Sequence, residues 1–326
     1  MATKLRKYFV ATKLFSNFVP MKTMMTLLTV LLLMASCGQS YEETQRQSRQ
    51  KQRQILREDS AALKVAVMPT MDCLPLFVAK DHGFFEKQGV DVRLKQYTAQ
   101  MDCDTAVVRG RVEGMVSDLV RTERLQQQGT ALRYVATTNA YWQLITNRNA
   151  RIRELKQLDD KMVAMTRYSV TDMLTSIAVD SAKLKTERVF RVQINDVNIR
   201  LRMLLGNELD AMLLTEPQAA QARQQKHRVL MDSRSMDLQL GVLAFSEKAL
   251  KNSKRQAQLT KFMKAYSQAC DSLARYGVKK YRDIAQKYCQ VKGASLDSLV
   301  KTMSYGHLEE PRQKDVDLAK EWLKKQ

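Results

Sequence analysis

The chain is poor in the residues that most often carry catalysis. It has three histidines in 326 residues, His82, His227 and His307. By pattern they fall at a helix end, in a surface-like basic loop and in the C-terminal helical region. None stands in a nucleophile, metal or acid/base arrangement. No phosphate loop and no nucleotide fingerprint occurs. The basic residues are scattered, with no dense Lys/Arg block and no RNA-binding signature, although the net charge is +20. These gaps argue against an enzyme and against a nucleic-acid binder, and they imply no cofactor and no metal. The excess charge fits a protein held near an anionic membrane surface.

No apolar run is long enough to span a bilayer, which takes about 20 residues. The run from Met24 to Ala35 is short, follows Lys22 and ends in Leu33-Met34-Ala35-Ser36-Cys37. That is the pattern of an export signal closed by a lipobox. Residues 1–36 are therefore expected to be a signal peptide, with Met21 a better start than Met1. Cys37 is expected to carry lipid, so the remainder would work outside the cytoplasm on a membrane anchor. Five of the positive charges (Lys4, Arg6, Lys7, Lys13, Lys22) precede Cys37, which leaves +15 beyond it. The other cysteines, Cys73, Cys103, Cys270 and Cys289, are even in number, so disulfides are allowed in an exported chain.

Residues 37–62 read as a lipidated polar tether, because YEETQRQSRQKQRQ has no apolar period. From Leu63 strands alternate with helices. Leu63–Val67, Val90–Lys95, Val112–Val116 and Leu132–Thr137 read as strands, with helices from Leu74, Thr105 and Leu119 between them. The rhythm restarts after Leu144, with strands Lys161–Met165, Arg188–Ile194, Leu209–Leu214 and Arg228–Met231, and then Val242–Phe245. From Glu247 onward the chain reads as helical. This alternation predicts an α/β fold with largely parallel sheets. The halves echo each other: Val108-Arg109-Gly110-Arg111-Val112-Glu113-Gly114 matches Leu205-Gly206-Asn207-Glu208-Leu209-Asp210-Ala211, with one extra residue after the second glycine. Two similar lobes with a cleft between them is the economical reading.

Three blocks bear a family likeness. They are Leu63-Lys64-Val65-Ala66-Val67-Met68-Pro69, Leu74-Pro75-Leu76-Phe77-Val78-Ala79-Lys80 and Gly83-Phe84-Phe85-Glu86-Lys87-Gln88-Gly89-Val90-Asp91-Val92. With Gly110–Leu119, Thr215-Glu216-Pro217 and Gly241–Phe245, they resemble the SsuA/ThiY-like substrate-binding proteins of NitT/TauT-type ABC importers. The likeness covers roughly Leu63 to Tyr276. It implies a type II periplasmic-binding-protein fold: two α/β lobes joined by two crossover strands, near Thr138–Ile145 and Asp232–Gly241, with a helical C-terminal region. Lobe 1 would be residues 63–140 and 240–326, and lobe 2 residues 141–239. The implied activity is capture of a small molecule by a monomer and its delivery to an ABC permease and its ATPase subunit, without catalysis.

Ligands in such sheets bind beyond the carboxyl ends of the strands. The loops there carry Thr70, Asp72, Gln100 and Asp102 after the first two strands, where relatives often have Ser/Thr/Gly-rich loops. The resemblance places Ser117 and Asp118 near the ligand. In the second lobe Arg167, Tyr168, Ser169 and Thr171 open a helix whose free N–H groups can hold an oxyanion, and Glu216 ends the next strand. Tyr141 and Trp142 lie on the first crossover, where rings can stack on a planar ligand or pack at the hinge. If two or more of Asp72, Asp102, Asp104 and Asp118 face the cleft, an amine-bearing ligand is favoured. The twin Met-Asp-Cys at 71–73 and 101–103 has three readings: a Cys73–Cys103 disulfide pinning two cleft loops, a soft-metal site, or helix caps with packed methionines. The alternatives to transport are a same-fold enzyme or sensor related to thiamine-pyrimidine metabolism, and a metal-binding lipoprotein.

Overall fold

The computed structural model describes residues 41–326. The expected signal segment, the lipobox and Cys37 lie outside the described residues. α1 (Tyr41–Ala61) is a helix along the stretch read as a polar tether. Gln, Arg and Glu are good helix formers, and pairs four apart, Arg49 with Gln45 and Gln54 with Glu58, add support. The chain up to Glu58 is a unit apart from the body that begins at Asp59.

The body contains two five-stranded sheets. The first holds β1 (Leu63–Val67), β2 (Val92–Gln96), β3 (Gly114–Asp118), β4 (Leu132–Thr137) and β10 (Gly241–Ser246), in the order β2-β1-β3-β10-β4. The second holds β5 (Gln143–Thr146), β6 (Lys161–Met165), β7 (Val189–Gln193), β8 (Ala211–Leu214) and β9 (Arg228–Asp232), in the order β7-β6-β8-β5-β9. The two orders correspond strand for strand. In each sheet the fourth strand comes from the chain crossing over from the other lobe, so it runs antiparallel to its neighbours. The other four strands of each sheet share one direction, so the sheets are largely parallel as the pattern implied. The reversed strand was not foreseen, because a strand's direction depends on where the chain comes from, which its apolar pattern does not record. The crossovers are 138–142 and 233–240. This is the two-lobed periplasmic-binding-protein fold.

Helices follow the strands: α2 (Leu74–Asp81), α3 (Phe84–Lys87), α4 (Gln100–Val108) and α5 (Leu119–Gln127) in lobe 1; α6 (Val170–Ser181), α7 (Val197–Leu205) and α8 (Gln218–Gln224) in lobe 2. Then come α9 (Glu247–Leu250), α10 (Ser253–Tyr276), α11 (Arg282–Cys289), α12 (Gly293–Thr302) and α13 (Gln313–Lys324). Among the described residues no helix is long and apolar enough to cross a membrane. α10 and α11 cover one face of the first sheet, where Phe245, Phe262, Tyr266 and Phe85 pack. α13 packs on α5 and on α6, and thus on both lobes. Its Val316, Ala319, Trp322 and Leu323 share one buried cluster with Leu119, Trp142 and Met173.

The sequence echo has a structural cause. Glu113 precedes β3 and accepts from Lys64 N of the adjacent β1 at 2.7 Å. Asp210 precedes β8 and accepts from Met162 N of the adjacent β6 at 2.9 Å. In both lobes one carboxylate satisfies an edge N–H at the foot of a parallel pair.

Candidate functional site

The carboxyl ends of the strands meet in a cleft between the lobes. β3 ends in Ser117-Asp118, and Asp118 caps α5 by accepting from Arg121 N at 2.9 Å. The same oxygen accepts from Val170 N, the first residue of α6 in the other lobe, at 3.1 Å. One carboxylate thus answers two helix N-termini, one from each lobe. The mouth is shut by backbone bonds from Met71 N to Glu216 O (2.9 Å) and from Val197 N to Thr98 O (3.2 Å). Ala99 and Asp196 form a bridge beside them.

The cavity between the lobes is about 60 Å3, room for about four waters. Arg121 reaches into it from α5, and its Nε bonds Asp104 Oδ2 at 2.8 Å. Arg200 faces it from α7. Its Nη1 donates to Leu213 O (2.9 Å) and its Nη2 to Thr166 Oγ1 (3.3 Å). Arg200 is buried and forms no ion pair among the described residues. Three side chains lining the cavity hold buried atoms without a partner: Arg200 Nε, Arg121 Nη1 and Ser117 Oγ. Buried polar groups are normally satisfied, so these are the groups a bound molecule would complete.

Burial governs the electrostatics. It pushes Asp118 up to about 6, against the pull of Arg121. Asp104 and Asp72 are raised for the same reason. Arg200 is lowered to about 10 by burial and by the nearby charge of Arg121.

Thr70, Asp72, Gln100, Ser117, Asp118, Trp142, Ser169 and Thr171 are among the lining residues. Asp102 and Arg167 are exposed and do not line the cavity. Tyr168 turns to Arg124, whose guanidinium lies 4.0 Å from its ring centre. Tyr141 points away from the cavity, and its hydroxyl donates to Glu216 at 2.8 Å; Glu216 also pairs with Arg223. These two residues brace the hinge. Sequence reasoning passed over Arg121 and Arg200. Arg200 stands with Val197, Leu201 and Leu204 on the buried face of α7. A cation on an apolar stripe was the available signal.

Cys73 and Cys103 are free thiols. Cys73 packs in the cluster with Val65 and Val67, and Cys103 in the cluster with Ala66 and Met68. Alternate residues of a strand face opposite ways, so β1 stands between the two sulfurs and the disulfide, one of the three readings, is not formed. Cys270 and Cys289 are free as well. Among the described residues no group of three or more His, Cys, Asp or Glu can hold a metal ion, and the two Met-Asp-Cys thiols lie in separate clusters. His227, expected on the surface, is buried and accepts from Arg148 N.

The profile of the NMT1/THI5-like family matches residues 70–276. Comparison with curated proteins gives no match. Among solved structures the chain is similar to the ligand-binding component of an ABC-type import system from Staphylococcus aureus: 16% identity, 81% of this chain and 91% of that one covered, TM-score 0.70. It is similar to the alkanesulfonate-binding protein SsuA from Xanthomonas axonopodis pv. citri, at 15% identity over 81% of this chain and 91% of that one, TM-score 0.69. It is also similar to the periplasmic nitrate-binding protein NrtA from Synechocystis, at 15% identity over 78% and 74%, TM-score 0.65. At such identities the likeness is one of fold.

Proposed function

Because the chain belongs to the NMT1/THI5-like family, we propose that it is a solute-binding lipoprotein of an ABC importer. It captures a small molecule in the interlobe cleft and hands it to a membrane permease. Cys37 carries the lipid, and the body works outside the cytoplasm as a monomer. The observation that carries this reading is the set of unpartnered buried groups converging from both lobes, with Arg200 an unpaired cation among them. A buried charge left unpaired is costly. Asp72 and Asp118 both line the cavity, which by count alone would favour an amine. Asp118 is already engaged by two helix N-termini, however, and burial raises Asp72, so the two arginines decide. A ligand with an acceptor or anionic group opposite Arg200 and Arg121 removes the cost of the unpaired charge and favours the closed state, as capture requires. Fold neighbours of printed function bind alkanesulfonate and nitrate, or are described as import components, which supports the same class of work.

Native mass spectrometry of protein purified from its own cells tests the proposal. A noncovalent adduct is expected on the wild type and is expected to be lost in Arg200→Met. If no adduct is seen, and X-ray scattering shows no compaction with a broad solute panel, the reading fails.

A further inference from the structure

A second concavity lies at the end of lobe 2 remote from the cleft. β5 leaves the crossover beside Trp142, which lines the cleft, and ends at Thr146 in this groove. Its antiparallel neighbour β9 starts there with Arg228. The groove measures about 270 Å3, and five of its lining residues are cations: Arg148, Arg151, Arg153, Lys226 and Arg228. No acidic residue lines it.

All five cations are exposed, and none enters an ion pair among the described residues. Exposed arginines elsewhere on this chain do find carboxylates: Arg93 with Asp91, Arg133 with Glu247, Arg188 with Asp159, Arg282 with Asp297. The groove is distinguished by gathering five cations in one concavity with no carboxylate among its lining residues. Arg148 is held over it, its N–H bonded to buried His227 Nδ1 at 3.2 Å and its Nη1 to Gln225 O at 3.3 Å. Arg151 and Lys226 keep long cationic side chains at φ 55° and 63°, in a region that residues other than glycine uncommonly adopt. A concave surface of one sign focuses potential and concentrates counter-ions.

We propose that this groove binds a multiply charged phosphate group. Guanidinium forks match phosphate oxygens in pairs, and the groove size suits a headgroup or a small phosphate compound. No aromatic residue lines the groove, so it lacks the stacking platform that single-stranded nucleic acid uses. The phosphate comes either from an anionic lipid or from a soluble compound. The site is independent of the cleft.

The test uses the full chain. Inorganic pyrophosphate is titrated by calorimetry, and flotation is run with phosphatidylglycerol-containing and pure phosphatidylcholine vesicles. The triple variant Arg148→Gln, Arg151→Gln, Arg228→Gln is compared with the wild type, with circular dichroism and melting as folding controls. Pyrophosphate binding that weakens at least tenfold in the triple variant, and is unchanged in Arg200→Met, supports a soluble phosphate. Phosphatidylglycerol-dependent flotation that falls at least tenfold in the triple variant supports the lipid source. Wild-type response to neither probe overturns the proposal, as does response that the triple variant retains. Preference for a single-stranded oligonucleotide over both probes also overturns it.

Discussion

Replacing Asp118 with Asn isolates the charge at the point where the lobes meet. Asn keeps the oxygen that accepts from Arg121 N and Val170 N and discards the negative charge. Burial raises this carboxyl from the ordinary 3.8 to about 6. The folded protein thus holds the proton more tightly than the unfolded chain. The group's contribution to stability is fully present below pH 3.8 and is lost as pH rises through about 6. The difference between those two values corresponds to about 3 kcal/mol at 1.36 kcal/mol per pH unit. Other buried carboxylates also titrate, so the informative quantity is the variant minus the wild type. Below pH 4 the two proteins should differ little. Above pH 7 Asp118→Asn should be the more stable by up to about 3 kcal/mol, a rise of roughly 5–10 °C in melting temperature for a body of this size. Asp118→Ala is the control. It removes the acceptor and should cost about 1–3 kcal/mol relative to Asn at every pH. Urea denaturation from pH 4 to 8 reads all three. A wild-type-to-Asn difference independent of pH, or an Asn variant less stable at pH 7.5, would refute the reasoning.

Three further outcomes follow from the packing. Gly114→Ala drives a Cβ to 2.6 Å from the Phe245 ring, so it should cost about 1–3 kcal/mol, while Ala211 at the equivalent place in lobe 2 already carries its methyl; thermal melts compare the variant with the wild type. Trp322→Ala removes the main anchor of α13 beneath both lobes and should cost about 3–5 kcal/mol, read by the denaturation midpoint. Cys73, Cys103, Cys270 and Cys289 are buried and free, with burial raising each thiol and holding Cys270 at about 12; iodoacetamide without reductant should leave all four unmodified in the native protein and alkylate all four in guanidinium, by peptide mapping.

Much of the site was legible because it sits where strands end. Ser117, Asp118, Ser169 and Thr171 occupy the strand-to-helix turns that α/β lobes point into their cleft. Glu113 and Asp210 were visible as an echo, although their role at the foot of a parallel pair was not. Arg121 and Arg200 were missed because a buried arginine has no spacing signature of its own; only its place on an apolar face gives it away. Tyr141 was placed correctly on the crossover, but the side of the crossover its ring takes depends on Glu216, distant in sequence. α1 was read as a polar tether with helix only near Ile55-Leu56; the helix runs further because Gln- and Arg-rich sequence is also good helix-forming sequence.

By itself the amino-acid order determined the alternation of strand and helix and the doubled architecture, while the two crossings between lobes were implied only by the family resemblance. The alternation and the doubling rest on periodicity and local turn chemistry, which act within a dozen residues. The folded molecule alone decided the direction of β5 and β10, the separation of Cys73 from Cys103 by a sheet, the unpaired state of Arg200 and the gathering of five cations at the foot of lobe 2. Each of these depends on which distant segments become neighbours, and burial and charge pairing are properties of neighbours.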